Sequence, residues 1–129
     1  MSLLYEKESY EIRGACFAVW KELGNGYKES IVYNALTIEL EERGLTVENQ
    51  KRINILYHDK KVGIYVPDKV VNNCIILELK SKPEITNSDL KQVTYYLKAA
   101  NYKLGFLINF GDELEIKRVV YDRLQGHLQ

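Results

Sequence analysis

Residues 67–80 read PDKVVNNCIILELK, an apolar run framed by two acids, Asp68 and Glu78, and a lysine, Lys80. Charges at the end of a buried strand are costly unless something pairs with them. These groups either neutralise one another or hold a metal ion. CIILEL (74–79) is apolar at consecutive positions, the pattern of a strand covered on both faces, and Asn72-Asn73 supplies the turn before it. Side chains alternate along a strand, so Glu78 and Lys80 share one face while Leu79 points into the opposite layer. A strict two-residue turn at Asn72-Asn73 sets Asp68 opposite Leu77, on the wrong face for Glu78. One extra residue, in a three-residue loop or a bulge near Pro67, brings Asp68 opposite Glu78, and proline suits such a place. The stretch therefore predicts an irregularity between Pro67 and Cys74.

Outward from this stretch the periodicity changes. Upstream, RINILY (52–57) and VGIYV (62–66) alternate around the polar turn HDKK, the pattern of a hairpin. Further back, Ile12, Ala15, Cys16, Val19, Trp20 and Leu23 recur at helical spacing within residues 3–23, and Gly24-Asn25-Gly26 stops that helix. A second helix is predicted from about Glu29 to Arg43, its acidic start suited to the positive end of the helix dipole and Gly44 closing it. Downstream, Thr86 and Asp89 form a helix-start signal before SDLKQVTYYLKAAN, with Leu90, Val93, Leu97 and Ala100 as its buried stripe. KLGFLINFG (103–111) reads as a buried strand, LEIKRVVY (114–121) as a last strand, and DRLQGHLQ as a short tail. The order is helix, helix, three strands, helix, strand, strand. It implies an α/β (α+β) three-layer sandwich, a mixed central sheet flanked by helices.

The bulk numbers bound the function. The chain has 129 residues, 46% hydrophobic and 28% charged with two prolines, as in one ordinary soluble globular domain spanning 1–129. No apolar stretch approaches the roughly 18 residues of a membrane span. The N-terminus MSLLYEKESYEI is acidic where a signal peptide is basic, so a cytoplasmic protein is expected. Cys16 and Cys74 sit in apolar contexts that favour packing over a disulfide. With the distant His58 and His127 they lack zinc-ligand spacing. Eighteen basic residues balance eighteen acidic ones, which argues against tight autonomous DNA binding without excluding a local basic face.

Two convergent carboxylates are the usual ligand set for Mg²⁺, a hard cation that keeps several waters. A lysine beside them can orient or help deprotonate a water and steady charge building on a phosphate. Such a site suits phosphodiester hydrolysis. Spacing alone also allows a solvated sheet end or a structural ion pair.

Pro67-Asp68 followed by Glu78-Leu79-Lys80, on a hairpin that leads to a helix, resembles the PD-(D/E)XK nuclease signature. ELGNGYKESIVYNALTIEL, VGIYVPDKVVNNCIILELKS, DLKQVTYYLKAANYKLGFLINFG and LEIKRVV further resemble the small GxxExxY proteins of that superfamily, over nearly the whole chain. The early loop departs from that branch. Val32 stands where the tyrosine belongs, Tyr33 follows it, and Trp20 and Asn25 replace an expected histidine and proline. The resemblance implies a restriction-endonuclease-like core. It also implies a Mg²⁺ (or Mn²⁺) ion held by Asp68, Glu78 and the Leu79 carbonyl, with Lys80 positioning the water. It adds Glu29 to the metal shell, although helix-dipole complementation accounts for that residue equally well. Gln92 and Tyr96 look like the post-lysine Q-x-x-x-Y pair of helicase-associated exonucleases; one helix face carries both, so Gln92 reaches the site while Tyr96 props it or packs in the core. Most of the ten tyrosines are expected to pack, and Asn109-Phe110-Gly111, which ends a buried strand, looks like a family turn and is assigned no chemistry.

Two functions follow from different classes. One is a Mg²⁺-dependent nuclease-like domain that hydrolyses DNA. The other is a catalytically idle or partner-dependent module of nuclease ancestry that binds nucleic acid or protein. A homodimer whose two neutral subunits frame one DNA groove is a third arrangement.

Overall fold

The computed structural model describes residues 4–122; Leu3 and the DRLQGHLQ tail after Asp122, with His127, lie outside the described residues. Helix α1 spans Glu6–Leu23 and α2 spans Glu29–Glu42. Gly24 ends α1 at a φ of 65°, where its N–H returns to the Trp20 carbonyl. Only a residue without Cβ takes this conformation freely, so the GNG stretch sets the corner between the helices. Arg43 ties the two helices together through Glu11 (3.1 Å) and Glu39 (3.2 Å).

Among the described residues seven strands follow, in place of the five read from the sequence. They are β1 (Val47–Asn49), β2 (Ile53–Tyr57), β3 (Lys60–Tyr65), β4 (Lys69–Val71), β5 (Ile75–Lys80), β6 (Leu104–Phe110) and β7 (Leu114–Val120), with α3 (Asn87–Ala100) between β5 and β6. The additional strands β1 and β4 have only three residues each and pair with one another. The main sheet runs β1-β4-β5-β6-β7 and is mixed, with β5 parallel to β6 and its other pairs antiparallel. The β2–β3 hairpin forms a separate two-stranded sheet. The hairpin was read correctly, but it stands outside the central sheet.

Alternation along β5 sorts the core into two layers. Ile75 and Leu77 join Ile12, Cys16, Leu36 and Leu40 on the face covered by α1 and α2. Ile76 joins Val93 and Leu97 of α3 and Tyr65 of the hairpin on the other. Cys16 is a fully buried core thiol, its pKa pushed up to about 12 by burial. Gly105 of β6 lets α3 close on the sheet, because a Cβ there would press at 3.3 Å on Val93, Leu97 and the Ile76 carbonyl. Thr86 and Asp89 complete the capping box expected at the start of α3.

Candidate functional site

The register between β4 and β5 decides which residues can meet. Val71 pairs with Ile75 and Lys69 with Leu77, leaving a three-residue loop, Asn72-Asn73-Cys74, with Asn72 and Asn73 both at positive φ. This is the irregularity that the sequence calls for. Extending the register by one residue brings Asp68 opposite Glu78.

Their side chains interlock with the backbone. Asp68 Oδ2 accepts the Leu79 N–H at 2.7 Å, and the Asp68 N–H donates to Glu78 Oε1 at 3.3 Å. The Tyr65 hydroxyl donates to Glu78 Oε2. Burial, reinforced by the charge of Asp68, pushes the Glu78 carboxyl up to about 7 against the opposing pull of the Tyr65 hydrogen bond. The same burial and the Glu78 carboxylate raise the Tyr65 hydroxyl well above the usual phenol range. Two carboxylates side by side and short of positive charge form an electrostatic arrangement that a divalent cation relieves.

Lys80 is half-buried at the end of β5 and makes no ion pair with a described residue. It lines two cavities. The larger, about 630 Å³, is also walled by Glu29, Tyr33, Asp68, Leu79 and Lys82. The smaller, about 230 Å³, is walled by Tyr65, Glu78, Gln92 and Tyr96. The two acids and the lysine thus stand at the partition between two openings.

The family model described as the PD-(D/E)XK nuclease superfamily matches residues 6–119. The chain belongs to the PD-(D/E)XK nuclease superfamily. Among solved structures, the fold is similar to the crystal structure of an alkaline exonuclease from Laribacter hongkongensis. The TM-score is 0.55 at 14% identity, covering 96% of this chain and 74% of that one. No curated protein sequence matches.

The remaining residues expected of a superfamily member divide by position. Gln92 is exposed on α3 and lines the smaller cavity with Glu78, so the helix brings it to the carboxylate side. Tyr96 stacks on Tyr65 at 4.0 Å between ring centroids and 6° between planes. It thereby props the ring whose hydroxyl holds Glu78. Glu29 is exposed in the wall of the larger cavity. No three His, Cys, Asp or Glu side chains gather as a metal cluster among the described residues, so Glu29 does not join the two acids in this structure. Its place in the first turn of α2 lets its charge act on the helix dipole.

Three supports were not read from the sequence. Tyr65, which looked like packing, is the donor to Glu78. Lys69 is fully buried on the α2 side of β4. Its ammonium donates to Thr37 Oγ1 (2.6 Å) and Asn49 Oδ1 (2.9 Å) and lies 3.4 Å from the centre of the Tyr33 ring. Burial pushes it down to about 8, and Asp68 opposes the shift. Tyr33 also donates to the Asp68 carbonyl at 2.8 Å, so the ring fixes the backbone on which the acid sits. The third is Asn109. Its side chain accepts the Lys82 N–H (3.0 Å) and donates to the Lys82 carbonyl (2.8 Å) and to Glu115 (3.1 Å), pinning the segment that leaves Lys80 to the end of β6. A lysine next to two valines and an asparagine closing a strand are the only sequence signs of the last two.

Proposed function

We propose that this chain is a Mg²⁺-dependent nuclease domain that hydrolyses DNA phosphodiester bonds. The reading rests on one observation: the loop 72–74 brings Asp68 into register with Glu78, beside Lys80, which has no ion-pair partner among the described residues. The donor set fits a hard divalent cation. Asp68 and Glu78 would hold it with the Leu79 carbonyl, all oxygen ligands. When bound, such a cation supplies Lewis acidity toward the scissile phosphate. Lys80 carries a compact charge that can orient a water or neutralise charge building on a phosphate oxygen. Tyr65, propped by Tyr96, holds the Glu78 carboxylate in one orientation. Gln92 reaches the opening on the same side, where its amide can fix the water or a phosphate oxygen. The larger cavity gives the substrate strand a path along Tyr33 and Lys82.

The absence of a third acid beside the pair among the described residues favours, as a second reading, a site that works only with a partner or stays idle. Cleavage of plasmid and single-stranded DNA with Mg²⁺ or Mn²⁺, compared with Asp68→Ala and Lys80→Ala, tests the proposal. Metal-dependent cleavage lost in both variants supports it. Equal residual signal in wild type and variants contradicts it.

A further inference from the structure

The β2–β3 hairpin is not needed to close the main sheet, because β1 and β4 on either side of it pair directly. Its inner face, Ile53, Ile55 and Tyr65, packs into the α3 layer. Beyond that contact Leu56, Tyr57, Val62, Ile64 and Val66 are exposed, Tyr57 by 65%. Single exposed apolar residues are ordinary, but this concentration of them on one hairpin marks a contact surface.

Its charge and geometry narrow the partner. From Lys51 to Lys61 the sequence carries four basic residues and one acid, a local excess of three in a chain of zero net charge. Lys51 is engaged by Glu48 and Asn73, whereas Arg52, Lys60 and Lys61 make no ion pair with a described residue. Cross-strand pairing sets Tyr57 beside Lys60 and Leu56 beside Lys61, after a register shift next to Ile55. At the tip, His58 and Asp59 take positive φ and the His58 ring stacks on Tyr57 at 4.1 Å and 12°. The base of the hairpin, Ile64 to Val66, lines the cavity that holds Glu78, Lys80 and Gln92. A basic aromatic arm therefore projects from the rim of the candidate site.

We propose that this hairpin grips a single-stranded segment of nucleic acid running to or from the site. Tyr57 and His58 offer ring faces to an unpaired base, and Arg52, Lys60 and Lys61 meet its phosphates. A duplex hides its base faces and leaves the stack and the apolar side chains without a partner. A second copy of the same surface would set Lys60 and Lys61 against their own like charges. The inference rests on the nuclease reading for its substrate, but its test separates the two.

Binding is measured by fluorescence anisotropy in EDTA, using labelled single-stranded DNA, single-stranded RNA and duplex DNA of one sequence. The expected result is tighter binding of single strands than of duplex. Tyr57→Ala weakens it roughly 5- to 150-fold, the range of one base–aromatic stack. The triple variant Arg52→Ala, Lys60→Ala, Lys61→Ala lowers the slope of log affinity against log salt by about 2, at ~0.7 per phosphate contact. Lys21→Ala on α1 binds as wild type. The altered hairpin residues are exposed, and circular dichroism confirms that each variant folds. Unchanged single-strand affinity in both hairpin variants overturns the proposal. So does duplex preference insensitive to Tyr57, or a dimer that dissociates in the hairpin variants while nucleic-acid affinity holds. Cleavage that persists with hairpin-independent binding removes the grip and leaves the nuclease. Hairpin-dependent binding by a protein that never cleaves removes the nuclease and leaves the grip.

Discussion

Asn109 gives the sharpest energetic prediction, because one buried side chain holds the exit of β5. It is fully buried and makes three hydrogen bonds, two to the backbone of Lys82 and one to the Glu115 carboxylate. Asn109→Ala removes all three. The neutral bonds contribute about 0.5–1.5 kcal/mol each and the charged one about 1.5–3 kcal/mol. Lys82 is half-buried, so water recovers part of the backbone loss, and Glu115 keeps its bond from the Ile85 N–H at 3.1 Å. A net loss of about 2–4 kcal/mol is expected in urea unfolding. Asn109→Asp is a sharper probe. The introduced carboxyl keeps an acceptor for the Lys82 N–H, but it loses the donor and meets Glu115 as a like charge. At neutral pH it should cost at least as much as alanine. Burial and Glu115 raise its pKa above the unfolded value, so the penalty shrinks as pH falls and the acid protonates. Hydrogen exchange at the Lys82 amide reads the same event locally and should speed up in both variants. Loss below about 0.5 kcal/mol in Asn109→Ala, with Lys82 still protected, would refute the reasoning.

Further predictions concern the same region. Gly111→Ala sets a Cβ on the Lys82 carbonyl oxygen, so thermal unfolding should show destabilisation of about 1–3 kcal/mol, whereas Gly63→Ala, with open space around it, should be close to neutral. Asp89 is held down to about 2, chiefly by Lys82 at 2.8 Å and then by the Thr86 cap. Its contribution is present above the unfolded carboxylate pKa and is lost as pH falls through about 2, so Asp89→Ala should destabilise at pH 7 and much less at pH 2. Glu78 has the opposite sign. Its folded pKa of about 7 lies above the unfolded value, so the metal-free protein binds the extra proton in the folded state. Stability in EDTA should fall as pH rises through about 7, and Glu78→Gln should flatten that part of the profile.

The sequence was most informative where local chemistry leaves one solution. Side-chain parity alone required an extra residue between Pro67 and Cys74, and the 72–74 loop supplies it. Thr86 and Asp89 announced α3 because a capping box is a contact within four residues. The missed strands β1 and β4 are three residues long. VEN carries no apolar alternation, and in β4 only Val70 and Val71 follow Lys69, too short an apolar run to mark a strand. That lysine is tolerable inside only because Tyr33, Thr37 and Asn49 arrive from elsewhere in the chain. Tyr65 was invisible as a site residue for the same reason, since a phenol on an alternating strand reads as packing until the strand opposite its hydroxyl is known. Glu29 shows the converse. Its motif position is legible, but its distance from the acid pair depends on how α2 is seated against the sheet.

The central claim is that Asp68 and Glu78 turn their oxygens toward one shared ion. A crystal of the full chain soaked in Mn²⁺, with anomalous data collected at the manganese edge, addresses it directly. The account predicts one anomalous peak bridging the two carboxylates near the Leu79 carbonyl. No peak at saturating Mn²⁺, with Asp68 still accepting the Leu79 N–H and Glu78 still held by Tyr65 and the Asp68 N–H, would contradict it.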